Sequence, residues 1–170
     1  FFGETFHNVN VDFVNKNINE GSSYAYGGTA RVFAKIFINK LLNINFVASY
    51  SYSDGRIADT LPLIYSAKHT IKGTIDIMFK NKFNIYLNST YRTGSHFITS
   101  TFSNPQINEP FYVINLSANY LILKKQHFDL SIYCQVYNLT NNKYFNVGDD
   151  FVFVPQEPSR LNAGLKINVR

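Results

Sequence analysis

The sequence predicts an all-β fold, a transmembrane antiparallel up-and-down β-barrel, from three observations. Apolar and polar residues alternate with period two over eight stretches of about ten residues or more. The connections between those stretches alternate between tight and long. Phe and Tyr make up 16% of the chain, Trp is absent, and many of the rings stand at stretch ends, where a membrane barrel carries its two aromatic girdles.

The first strand, near 8–16, sets Val9, Val11 and Phe13 against Asn10 and Asp12. The second, 24–37, sets Tyr24, Tyr26, Ala30, Val32, Ala34 and Ile36 against Thr29, Arg31 and Lys35, with Phe33 and Phe37 intruding on the polar parity. In the third, 42–53, Leu42, Ile44, Phe46, Ala48, Tyr50 and Tyr52 oppose Asn43, Asn45, Ser49 and Ser51. Strand 69–79 opposes Ile71, Ile75, Ile77 and Phe79 to Lys72, Thr74 and Asp76, and strand 83–94 opposes Phe83, Ile85, Leu87 and Tyr91 to Asn84, Asn88 and Arg92. Strand 111–122 has Tyr112, Ile114, Leu116, Ala118 and Tyr120 opposite Asn115, Ser117 and Asn119. Strand 127–138 alternates almost without error from Phe128 to Tyr137, and 160–169 sets Leu161, Ala163, Leu165, Ile167 and Val169 against Asn162, Lys166 and Asn168.

A soluble antiparallel sandwich alternates too, because one face of each sheet is solvated. Its strands average about five or six residues, whereas these reach the length that crosses a bilayer at a tilt. The gaps 38–41, 80–82 and 123–126 are tight, while 17–23, 54–66, 95–110 and 139–159 are longer. Short turns belong on the periplasmic rim and long loops outside, so both ends of this segment are expected to face the periplasm of an outer membrane.

Composition excludes several other classes. No run of about twenty apolar residues offers a transmembrane helix, and a mean hydropathy of −0.13 suits alternating faces. Phe1-Phe2-Gly3-Glu4 has neither a basic leader nor a cleavage site, so the chain is expected to be mature, trimmed or incomplete. Lone Cys134 falls on the apolar parity and reads as a small apolar residue. The net charge of +5 comes from Lys and Arg scattered over polar-parity positions, turns and loops, so no nucleic-acid partner is expected. The sequons at Asn88, Asn115 and Asn138 read as accidental. His7, His69, His96 and His127 lack partners at metal-ligand spacing, and no nucleophile elbow or phosphate loop occurs; no cofactor, metal or enzyme activity is expected. Ser95-His96 with Asp149-Asp150 is the nearest approach to a hydrolytic constellation.

Several stretches also resemble those of a known family. Tyr26-Gly27-Gly28-Thr29-Ala30 is similar to that family's strand opening, and the stretch from Ala48 to Asp54 to its next strand end. Leu61-Pro62-Leu63-Ile64-Tyr65-Ser66-Ala67-Lys68-His69 resembles the loop ending in Pro-Arg/Lys-His, with Ala67 where Pro is common. The stretch from Val136 through Asn138-Leu139 to Lys143-Tyr144 resembles the penultimate-strand pattern. Pro155-Gln156-Glu157-Pro158-Ser159-Arg160 with Gly164-Leu165 resembles the lead into the last strand, with Ser159 where Gly is common. The end at Asn168-Val169-Arg170 lacks the terminal aromatic, which implies residues after Arg170.

Together these stretches resemble the TonB-dependent outer-membrane receptors, and the resemblance implies that the eight strands are the C-terminal part of a barrel of about 22 strands, whose plug domain lies upstream. It implies active import of a scarce ligand such as a ferric siderophore, haem, cobalamin or oligosaccharide. Partners would be outer-membrane lipid and lipopolysaccharide, the plug and TonB through the upstream part, with room for a surface lipoprotein. Loop residues suited to touching ligand are Arg56, Tyr65, His96, Tyr144, Asp149, Asp150 and Phe151. Phe151 to Val154 reads equally as a strand extension above the membrane. The rival is an autonomous eight-stranded barrel acting as a structural, adhesin or binding protein. Its sealed lumen needs paired charges, whereas Arg31, Lys35, Lys72, Arg92 and Lys166 face few acids beyond Asp12, Asp76 and Asp129.

Overall fold

Alternation at period two is realised as strands throughout the computed structural model, which describes residues 6–16, 24–39, 41–57, 61–63, 66–99, 102–147, 153–155 and 158–169. Among these residues there is no helix and there are thirteen strands. They are β1 (Phe6–Lys16), β2 (Tyr24–Asn39), β3 (Leu42–Ile57), β4 (Leu61–Pro62), β5 (His69–Phe79), β6 (Phe83–Arg92) and β7 (Ser95–Thr99). They continue as β8 (Phe102–Asn108), β9 (Phe111–Lys124), β10 (Phe128–Tyr137), β11 (Phe145–Val147), β12 (Phe153–Pro155) and β13 (Arg160–Val169).

The eight long strands form one antiparallel sheet in the order β1-β2-β3-β5-β6-β9-β10-β13. Each neighbour in chain order is a neighbour in space, the meander that short turns dictate. Short β4 pairs with β3, while β7–β8 and β11–β12 are separate hairpins. Among the described residues β1 and β13 each pair on one side only, so the sheet is open between them.

Register joins the separate alternations into two continuous faces. Ala34, Phe46, Ile75, Leu87, Leu116, Val136 and Leu161 are successive partners from β2 to β13; Ile36, Ile44, Ile77, Ile85, Ala118, Cys134 and Ala163 form the next row. One residue over, the row is Lys35, Asn45, Asp76, Tyr86, Ser117, Gln135 and Asn162. A slip of one residue in any pair would break both faces. A register shift between Leu130 and Ser131 is the irregularity within β9–β10.

Aromatic rings bound the apolar face. Phe79, Phe83 and Tyr120 are partners near the short-turn rim, and Tyr50, Ile71, Tyr91 and Tyr112 form a row near the opposite one. Within each strand the two rows lie eight residues apart, about 27 Å along the strand at about 3.4 Å per residue. Two further aromatics lie at strand ends but on the polar face: Phe37 pairs with Asn43, and Phe111 with Arg92.

Turn chemistry fixes the short rim. Lys80 and Asn81 both take φ of 52°, and the Lys82 amide donates to the Phe79 carbonyl at 3.0 Å. Two consecutive positive φ values match the twist of a tight hairpin, so Phe79 and Phe83 meet as partners.

The described residues form almost no interior of their own. Ala67, Phe111 and Val113 are the buried hydrophobics among the described residues, and no side chain there is fully buried. The accessible surface is 12226 Å², against roughly 8,500 Å² for a folded monomer of this mass. Each 1,000 Å² of apolar surface left in water forgoes about 25 kcal/mol, more than the whole stability of a typical domain. The apolar face therefore needs a cover that no described element supplies, and the second layer of a sandwich is not among the described residues.

Candidate functional site

The rim carrying the long connections is where the chain departs from plain meander, and two clusters form there on opposite faces. The first is built by the ends of β2 and β3. Their backbones approach closely at Gly55, where a Cβ would collide with the Tyr24 carbonyl and come within 2.8 Å of the Ala25 Cα. Tyr24 and Tyr26 stack at 6.2 Å with 15° between planes, and Tyr26 meets Tyr52 at 6.1 Å.

Asp54 is the centre of this cluster. Its Oδ2 accepts from the Tyr52 hydroxyl at 3.1 Å and the Tyr26 hydroxyl at 3.4 Å, and pairs with Lys68 Nζ at 2.6 Å. Its Oδ1 accepts from the Gly55 amide at 2.9 Å. The Lys68 ammonium, with help from that amide and the Tyr52 hydroxyl, holds the carboxyl down to about 2 against the burial that opposes it. Lys68 is correspondingly raised by Asp54. Next to it, the Tyr50 hydroxyl and His69 Nδ1 share a hydrogen bond at 2.8 Å.

The second cluster lies on the polar face, where the chain leaving β10 folds back onto β9. Asn138 is 4% exposed and takes φ of 47°. Its amide donates to Asn115 Oδ1 at 2.9 Å; its Oδ1 accepts from the Asn142 amide at 3.0 Å and the Thr140 hydroxyl at 3.2 Å; its Nδ2 donates to the Asn142 carbonyl at 2.9 Å. Asn tolerates the left-handed region and bonds locally, which is why it can hold this turn. The Leu139 amide reaches the Ile114 carbonyl at 2.7 Å and the Thr140 hydroxyl the Tyr112 carbonyl at 3.1 Å. The segment delivers Tyr144 onto Phe111, rings 4.3 Å apart and 22° from parallel, while the Arg92 guanidinium lies 6.0 Å from the Phe111 ring. Burial raises the Tyr144 phenol.

Below this turn the polar face forms a groove of about 240 Å³ between β6, β9 and β10, lined by Tyr86, Asn88, Asn115, Leu116, Ser117, Gln135, Val136 and Tyr137. Tyr86, Ser117 and Gln135 are one register row, and Asn88 and Asn115 are partners in the next. These residues are far apart in sequence, and only register aligns them. Shared parity at shared strand depth was the signal that would have found them.

Of the residues selected from sequence, Arg56 is exposed near the end of β3 opposite Tyr24 and Pro62, and His96 is half-buried in β7 opposite Ile107. Tyr144 stacks on Phe111. Arg56 lies near the end of β3 and Tyr144 sits over Phe111 of β9, three positions away in the sheet, about 14 Å at about 4.8 Å per strand. Tyr65, Asp149, Asp150 and Phe151 lie outside the described residues. The described part of the stretch from Phe151 to Val154 is strand β12, paired with β11. Among the described residues no group of three His, Cys, Asp or Glu is placed to hold a metal, and no helix is long and apolar enough to cross a membrane. No family model matches the chain, and no curated protein is significantly similar to it.

Proposed function

We propose that the chain is wall and outer-loop structure of an outer-membrane β-barrel, within a TonB-dependent receptor that imports a scarce ligand. The observation that carries the reading is the apolar face between two aromatic rows, interrupted across β3, β5, β6 and β9 by Gly73 and Ser89. Tilted by about 40°, a strand segment of that length rises about 20 Å, close to the apolar band of barrels that cross a bilayer. A large exposed apolar area with no second layer among the described residues supports hydrocarbon as its cover.

The margins at β1 and β13 support a place within a wider barrel over an autonomous eight-stranded one, because a closed small barrel would pair them. The polar face supports a wide lumen: Arg31 and Lys35 lie over the rings of Phe33 and Phe37 at 5.8 and 5.0 Å, and Asp76 is held by Asn45 and Asn84. In this reading the long loops bind ligand outside, lipid and lipopolysaccharide surround the wall, and plug and TonB act through the upstream part. The role is transport, with no catalytic step.

The deciding experiment is the intact mass of the denatured protein recovered from a native outer-membrane fraction. A mass several times 19.5 kDa is expected. A mass close to 19.5 kDa, or absence from the outer membrane, overturns the receptor reading.

A further inference from the structure

We infer that the groove between β6, β9 and β10 is a subsite for one ring of a neutral, polyhydroxylated ligand, a saccharide unit. The inference rests on the receptor reading, which makes this face the lumen wall. Chemistry selects the ligand class. The six side chains lining the groove that carry polar groups are Tyr, Asn, Ser and Gln, with no group ionised at neutral pH.

Their unused capacity is mixed. Asn115 Oδ1 is taken by the Asn138 amide and Gln135 Oε1 by the Tyr137 hydroxyl at 3.1 Å, which leaves both amide NH₂ groups as donors. Asn88 spends its NH₂ on Thr74 at 3.3 Å and keeps its carbonyl oxygen as acceptor. The Tyr86 and Ser117 hydroxyls, which do either, have no partner among the described residues. An anion needs donors alone and a cation acceptors alone, whereas sugar hydroxyls use both, so a set of donors, acceptors and hydroxyls matches a polyol. Arg160 lies over the Tyr137 ring at 5.0 Å and Asp76 is the register partner of Tyr86, held by Asn45 and Asn84; neither is a lining group.

Size and stiffness agree. About 240 Å³ falls below the roughly 300–1,000 Å³ that encloses a drug-sized ligand, which suits one ring of a longer chain. The lining comes from strands paired on both sides, and the docked Asn138 turn braces Asn115.

The test is saturation-transfer NMR and calorimetric titration of the full-length, detergent-purified protein with maltotriose, xylotriose and mannotriose. At least one should bind, with an affinity little changed between 50 and 500 mM NaCl, because neutral contacts are not screened. Tyr86→Ala and Gln135→Leu should each weaken it about tenfold, and Tyr86→Phe should separate the hydroxyl from the ring, all with strand circular dichroism retained. The inference is overturned if none of the three binds, if binding ignores both substitutions, or if salt abolishes it. A native mass several times 19.5 kDa with no saccharide bound removes this inference alone. A mass near 19.5 kDa with a saccharide in the groove removes the receptor reading alone.

Discussion

The two faces of the eight-strand sheet are built from residues one position apart, yet they are held in opposite ways. On the apolar face Leu87 meets Ile75 and Leu116, partners that ask nothing of each other but contact. On the polar face Asn88 donates to Thr74, Asn84 to Asp76, and Thr29 and Ser51 share a bond at 3.0 Å, so side chains are tied sideways across strands. Stability on one side depends on what covers it from outside. On the other it depends on a network the sheet supplies itself.

Placing the same charge on each face is the strongest way to break that comparison. If hydrocarbon covers the apolar face, Leu87→Arg in mid-band should cost about 2–4 kcal/mol of unfolding free energy in bilayers, while Asn88→Arg should cost under about 1. Chemical denaturation of the full-length protein reads both. Equal, mild effects would remove hydrocarbon as the cover.

A sharper version concerns the place where the polar face gains a second layer. Asn138→Ala removes three side-chain hydrogen bonds from a 4%-exposed site and leaves a non-Gly residue at φ of 47°. About 1–3 kcal/mol of local stability should go. Hydrogen exchange should quicken at the Leu139 and Asn142 amides, and the Tyr144 ring should lose its contact with Phe111. Unchanged protection would mean that the Phe111–Tyr144 stack, not Asn138, holds the turn.

How far the sequence revealed this division follows from the physics of each part. Period two is local, so strands 69–79 and 160–169 are read residue for residue, and the others to within a few positions. β3 runs four residues further than its alternation because Asp54 to Arg56 pair with Tyr24 to Tyr26 and Ile57 with Leu61, a gain visible only from the partner strands. β6 stops at Arg92, short of Gly94, because the His69 amide donates to the Thr93 side-chain hydroxyl at 3.0 Å and so does not complete the next backbone pair. The β7–β8 and β11–β12 hairpins lay inside stretches read chiefly as loops, since short pairs depend on register. The intrusions at Phe33 and Phe37 are accounted for by the cations beside them. Asn138 and Tyr144 were legible as a motif, but their part in roofing the polar face needed the contact with β9.

The smallest expected effect lies where the apolar parity runs beyond its aromatic boundary into polar company. Asp54 stands two strand steps past Tyr52 toward the rim and is tied to Lys68, two tyrosines and a backbone amide. Its folded value, about 2, lies below the ordinary carboxylate value, so its contribution is complete above about pH 4 and disappears as pH falls through 2. Asp54→Asn should flatten the acid limb of the stability curve between about pH 4 and 2 while barely moving the midpoint at pH 7, because both partners reach solvent and exposed pairs are worth little. Salt should erase most of the difference. A large loss at neutral pH would mean that this end of the face is covered by something of low dielectric, and that the hydrocarbon-like environment extends past the Tyr50 row.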